Sequence, residues 1–182
     1  DLPLITHDLK DAGYRTHGAG KFHFQPILAG PEHEMPDSNA FWELPQSEGW
    51  TGPFYGFDKV DILIGESVSA TEGGHYANWL RETAPDAAAL YLPENALEPG
   101  PEDLDEVWKS AIPSELHYNN WITDRACGFL EEQDGEQPFF LFVSYPDPHH
   151  PFSPPAPWCD MYDPQEVPAP ALTADELAAM PS

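Results

Sequence analysis

The sequence predicts an α/β fold: a mostly parallel sheet flanked by helices, with long ordered loops between few regular elements. Three observations carry this. Pro138-Phe139-Phe140-Leu141-Phe142-Val143-Ser144-Tyr145 is an unbroken apolar run without alternation, the pattern of a strand buried on both faces of a parallel sheet. The clearest helical stripe of the chain lies just before it, so the pair forms half of a βαβ unit. The 22 prolines and 13 glycines call for many turns around these elements.

In chain order, Leu2, Ile5, Leu9 and Ala12 follow helical spacing and Gly13 stops the helix. Residues 14–24 read as a strand with a glycine-rich middle. Residues 25–75 are mostly loop, punctuated by Pro26, Pro31, Pro36, Pro45 and Pro53, with a short strand over 57–64. Residues 76–82 make a helical turn or two, and 84–113 are irregular and acidic. The next helix starts near Ser114; Tyr118, Ile122, Ala126, Phe129 and Leu130 form its stripe and Gln133-Asp134-Gly135 ends it. Thr173 and Glu176 have the spacing of a capping box for a final helix. There is no internal repeat.

At 182 residues the chain can bury one core without disulfide staples. No apolar stretch is long enough to span a bilayer, so a soluble segment is expected, in the cytoplasm or beyond it. Asp1-Leu2-Pro3 shows no signal peptide and does not resemble a natural beginning; a processed, truncated or excerpted chain is expected. With 32 acidic against 7 basic residues the formal charge is -25, which argues against nucleic acid as a partner. The acid excess suits a solvated surface, as in adaptation to high salt, and repels anions; any anion site therefore needs a locally positive pocket. Cys127 and Cys159 have no metal or redox spacing.

Scarcity makes the placement of Lys and His informative. In an ideal strand Lys21 and His23 project to one face while Phe22 and Phe24 anchor the other, and Gly18 and Gly20 permit close backbone approach. The plain alternative is a half-exposed strand that happens to carry Lys and His. His149 follows the apolar run in a loop stiffened by Pro146, Pro148, Pro151, Pro154 and Pro155, where a general acid for a leaving alcohol would be well held. The alternative is that His149 and His150 merely pack in a proline-rich surface loop. Adjacent histidines point apart and no third ligand is evident, which disfavours a metal site.

Together the motifs resemble the sulfatases of the alkaline-phosphatase-like superfamily. Leu9-Lys10-Asp11-Ala12-Gly13-Tyr14-Arg15-Thr16 leads into Gly20-Lys21-Phe22-His23, where sulfatases usually show Gly-Lys-Trp-His. Gly52-Pro53-Phe54-Tyr55-Gly56-Phe57-Asp58 and Gly73-Gly74-His75-Tyr76 continue the match; residues 138–144, Pro148-His149-His150-Pro151-Phe152 and Asp160-Met161-Tyr162-Asp163-Pro164 close it. The resemblance implies part of an alkaline-phosphatase-like sandwich. It makes residues 1–182 a partial catalytic domain; the loop-rich, aromatic composition of 25–113 suits an insertion walling the pocket for a sugar or aryl group. Lys21 would contact the sulfate and the nucleophile. His23 would steady a hydrated formylglycine and help collapse the sulfated intermediate. His149 would bind the sulfate and protonate the departing alcohol. His150 has no role in the pattern. His75, and with it His117, is a candidate for the substrate-pocket wall, against a scaffold role.

The departures are as specific. Neither Cys127 nor Cys159 sits in the Cys/Ser-x-Pro-x-Arg context that is converted to formylglycine, and the acidic calcium ligands of the family are missing. The resemblance therefore places formylglycine and Ca2+ outside this chain, which binds no metal of its own and is expected to be inactive alone. The implied substrate is a small-molecule or carbohydrate sulfate ester; the ester, the oligomeric state and the compartment are left open. A phosphonate or phosphodiester hydrolase of the same superfamily, or a non-catalytic acidic domain on this scaffold, are the competing readings.

Overall fold

The computed structural model describes residues 3–168 and, beyond them, residues 171, 173, 176, 178 and 179. Helix α1 (Ile5–Asp11) ends at Gly13, whose φ of 87° lies in the left-handed region and reverses the chain into strand β1 (Arg15–Lys21). Strand β2 (Lys59–Leu63) follows a run of 3-10 turns; helix α2 (Gly74–Thr83) packs against it. A two-residue ribbon, β3 (Glu98–Pro99) with β4 (Trp108–Lys109), precedes helix α3 (Tyr118–Glu131) and strand β5 (Phe139–Ser144). The main sheet has the order β2-β1-β5 and both pairings are parallel. This is the α/β architecture expected, with α3 lying across all three strands.

The Gly18-Ala19-Gly20 centre of β1 explains the packing. Ala19 joins the cluster of Leu63, Tyr76, Leu80, Tyr118, Trp121 and Ile122 beneath α2 and α3. On the other face the glycines leave gaps, and aromatic rings fill them: a Cβ on Gly18 would run into the Phe22 ring, with Phe57 beside it. Phe22, Phe54, Phe57, Val60 and Ile62 make that second cluster, with Phe140 and Phe142 of β5 against it. At Gly20 (φ 114°) a side chain would overlap the Ser144 carbonyl of β5. Glycine is thus what lets β5 pair at the end of β1.

Several expectations need correction. The strand stops at Lys21, so period-two alternation does not carry on to His23. Phe22 is buried, but His23 takes a left-handed φ of 55° and Phe24 is 44% exposed, so the second aromatic is not a core anchor. The cause is Asp37, itself buried, whose carboxylate accepts the backbone N–H of Phe24 at 2.8 Å and of Gln25 at 3.2 Å and bends the chain away. Strand β5 is not buried on both faces: its residues are half-buried and Phe139 is exposed, because among the described residues it has one neighbouring strand. The enclosed strand is β1. On α3 the buried stripe is Tyr118, Trp121, Ile122, Ala126 and Phe129, while Leu130 faces solvent. Within residues 25–113 the expected strand over 57–64 is β2, and the expected helical turns over 76–82 are part of the longer α2. The Thr173–Glu176 capping box forms, with Thr173 N–H and Oγ1 donating to Glu176 and Glu176 N–H returning to Thr173; the expected helix beyond lies partly outside the described residues.

Candidate anion site at the carboxyl edge of the sheet

Parallel strands open their carboxyl ends on one edge, which is where open α/β sheets build sites. Lys21 is the last residue of β1. Glu66 lies just past β2 and His149 just past β5. The three meet there. Lys21 Nζ donates to Glu66 Oε2, and His149 Nδ1 lies 3.4 Å from Glu66 Oε1. One carboxylate therefore turns one oxygen to the Lys21 ammonium and the other to the His149 ring. Lys21 and Glu66 side chains are only 13% and 16% exposed, so water screens their pairing little, whereas His149 at 47% remains open to solvent.

Each member is fixed by the loop behind it. Glu66 caps the 3-10 turn Ser67–Thr71: its side chain accepts from the Ser69 backbone, and the Ser69 hydroxyl accepts from Glu66 N–H. Ser67 Oγ and Ser153 Oγ, both buried, lie 2.7 Å apart and tie this turn to the His149 loop. That loop is held further by the Phe152 backbone, which exchanges hydrogen bonds with Glu106 and Trp108. His149 Nδ1 donates to the His150 carbonyl at 2.5 Å, and the two rings stack at 4.4 Å. His150, without a role in the sequence pattern, thereby engages Nδ1 and fixes the orientation of the His149 ring.

Asp147 connects this loop to the core. Its carboxylate accepts from Asn119 Nδ2 at 2.6 Å and from the Tyr118 hydroxyl at 3.3 Å. Burial raises its pKa, those hydrogen bonds oppose the rise, and the Glu66 charge adds to it. Behind Tyr118 the Tyr76 and Tyr91 hydroxyls pair at 2.7 Å, and Tyr91 also accepts from the Tyr118 N–H. Beside the loop lies a cavity of about 460 Å³, lined by His117, Asn119, Asp147, Phe152 and Trp158 among others.

Lys21 and His149 are thus brought together, and His23 is not. Its side chain is exposed and its charge bears on Asp37, whose pKa burial raises and whose Phe24 and Gln25 hydrogen bonds, then His23, lower. His75 proves to be scaffold: Nδ1 accepts from Ile62 N–H at 2.9 Å and Nε2 donates to the Trp50 carbonyl at 2.7 Å, which leaves no free ring nitrogen for a substrate. Burial lowers its pKa, in keeping with that neutral form. His117 caps α3 through Nδ1, its Nε2 has no partner among the described residues, and burial lowers its pKa to about 4. Glu66 was missed by the sequence reading; its one local signal is an acid three residues ahead of Ser69 after the strand-end Gly65.

The opposite, amino-terminal edge gathers Arg15, Lys59 and Arg125 around a cavity of about 290 Å³. Arg15 pairs with Glu132 at 2.7 Å and lies over the Phe129 ring, and His17 Nε2 is 2.9 Å from Asp61. A larger groove of about 830 Å³ lies within the loop-rich region, walled by Gln25, Phe41, Trp50, Phe54 and Tyr55 among others. Among the described residues no group of three or more His, Cys, Asp or Glu is placed to hold a metal ion, and no helix is long and apolar enough to cross a membrane.

Comparison with known proteins covers nearly the whole chain. A family model described as Sulfatase matches residues 2–170. An arylsulfatase of Clostridium perfringens is 27% identical over 173 residues, covering 92% of this chain and 31% of that protein. The multifunctional alkaline phosphatase superfamily protein PehA of Trinickia caryophylli is 36% identical over 118 residues, 60% of this chain and 22% of its own length. In structure, the phosphonate monoester hydrolase of Agrobacterium radiobacter aligns with a TM-score of 0.60 at 24% identity, covering 94% of this chain and 31% of that one. The chain spans less than a third of the length of these relatives.

Proposed function

The chain belongs to the sulfatase family, and from that premise we propose that the whole protein hydrolyses an organic sulfate ester whose anionic group binds between Lys21 and His149. The observation that supports this is their shared approach to one carboxylate at the carboxyl edge of the sheet. Two groups that already converge on one pair of oxygens present the charge and the donors that a sulfate oxyanion requires. Lys21 neutralises charge as it gathers on the sulfuryl oxygens. His149, with Nδ1 committed to the His150 carbonyl, delivers a proton from Nε2 to the leaving oxygen, so that an alcohol departs rather than an alkoxide. His23 joins them only by turning from Asp37. The aromatic groove within 25–113 is assigned to the sugar or aryl part of a small-molecule or carbohydrate ester.

Ca2+ and formylglycine are expected elsewhere in the whole protein, where they would supply charge neutralisation and the attacking oxygen. The residues described here do not fit a calcium site, and the roles above belong to this chain's own side chains. The test is the rate of aryl sulfate hydrolysis by the whole protein and by its Lys21→Ala variant; full activity in the variant would overturn the assignment. The 182-residue chain alone is expected to show no turnover. One second reading is a phosphonate or phosphodiester substrate, since Lys and His serve either oxyanion, and the likeness to a protein described as a multifunctional member of the alkaline phosphatase superfamily leaves room for it. Parallel rates on sulfate and phosphonate monoesters separate the two.

A further inference from the structure

Glu66 has no part in that reaction, yet its carboxylate lies against both groups that would hold the ester's oxyanion. Capping explains one of its contacts, the Ser69 backbone, but not why its two oxygens also face Lys21 and His149. The backbone cannot drift away from the site, because the capping box and the Ser67–Ser153 hydrogen bond hold the turn from both ends. Any anion that binds Lys21 and His149 therefore binds beside a fixed negative charge that is largely shielded from solvent. A second carboxylate, Asp147, is close enough to feel that charge.

We infer that Glu66 is a charge selector, making this site prefer esters that carry one negative charge over esters that carry two. The inference rests on the reading that Lys21 and His149 bind the oxyanion. Sulfate monoesters, phosphonate monoesters and phosphodiesters are monoanions. Phosphate monoesters carry close to two charges above about pH 6. Glu66 cancels one unit of the positive charge that the site can offer a ligand, beginning with that of Lys21; without Glu66 the same site would suit a dianion better. An extra unit of charge a few ångströms from a shielded carboxylate changes binding by more than about tenfold even at an effective near-surface dielectric. Sulfate and phosphate esters share shape and hydrogen-bond acceptors, so charge is the property by which this site can tell them apart. The same device admits phosphonate monoesters and phosphodiesters alongside sulfates.

The test is calorimetric titration of the whole protein at pH 8 with methyl sulfate and methyl phosphate, ligands of like shape carrying one and two charges. The expected result is a preference for methyl sulfate that shrinks at least about tenfold in Glu66→Gln and persists in Glu66→Asp. The amide oxygen of Gln can still accept from Ser69, and a thermal melt verifies that the variant is folded. Lowering the pH below about 6, where methyl phosphate becomes a monoanion, should narrow the wild-type preference toward that of Glu66→Gln. An unchanged ratio in Glu66→Gln overturns the selector even if the protein hydrolyses aryl sulfates. The expected ratios in a protein that hydrolyses no sulfate ester overturn the proposed reaction and leave the selector standing.

Discussion

The two edges of the three-stranded sheet both carry basic side chains, in different numbers and to different effect. The amino-terminal edge has three cations, a His–Asp pair and a cavity of about 290 Å³. The carboxyl edge has one lysine and one histidine. Yet Arg15 answers an exposed Glu132 in an ordinary surface pair, with side chains 32% and 66% exposed. Lys21 instead meets a shielded acid that also faces His149. The difference lies in convergence and shielding rather than in the number of charges, and it is on convergence and shielding that the proposed anion site rests. A surface pair of this kind contributes little, because water screens it and two long side chains must be ordered.

The largest expected effect is on activity. Lys21→Ala in the whole protein should lower kcat/KM for a sulfate ester by roughly 100- to 1000-fold, about 3–4 kcal/mol of transition-state stabilisation. Arg15→Ala and Lys59→Ala should each change it less than about twofold; equal losses at both edges would erase the distinction. Next comes Gly20→Ala, which sets a Cβ against the Ser144 carbonyl where β5 pairs with β1. It should cost about 3 kcal/mol in urea unfolding, against about 1 kcal/mol for Gly13→Ala, where a Cβ meets nothing and only the positive φ resists.

A pH dependence should follow from His117. Its native pKa is lowered by burial from an ordinary 6.5 to about 4. The unfolded chain therefore binds a proton that the native state refuses across that window. Stability from this group is present above about pH 6.5 and falls as the pH drops, by about 2 kcal/mol at pH 4.5. Melting curves of His117→Asn, which keeps a capping side chain, should lose this component; an unchanged pH slope would remove His117 as its source. The smallest effect is expected at the amino-terminal edge, where Glu132→Gln should alter stability by less than about 0.5 kcal/mol in the same melts.

The elements that the sequence made legible were those with unambiguous punctuation. Gly13 ends α1, the aromatic stripe marks α3, and the apolar run before Pro146 marks β5. Lys21 and His149 stand out in the sequence because a basic residue at or beyond a strand end is conspicuous in so acidic a chain, and the fold brings the two together. His23 was placed on the wrong face because alternation was carried past the true strand end, and the residue that ends it, Asp37, acts from 13 positions away along the chain. Glu66 was invisible for the opposite reason: it is one of 32 acids, and only the folded chain sets it between Lys21 and His149. The burial of β5 depends on neighbours that a local apolar pattern does not specify.

The tyrosine hydroxyls described above form a relay from the middle of the molecule to its rim. Tyr91 and Tyr76 hold each other, Tyr118 hangs on Tyr91, and Asp147 hangs on Tyr118 two residues ahead of His149. Order at the rim is therefore borrowed from the interior, through residues that the core itself needs.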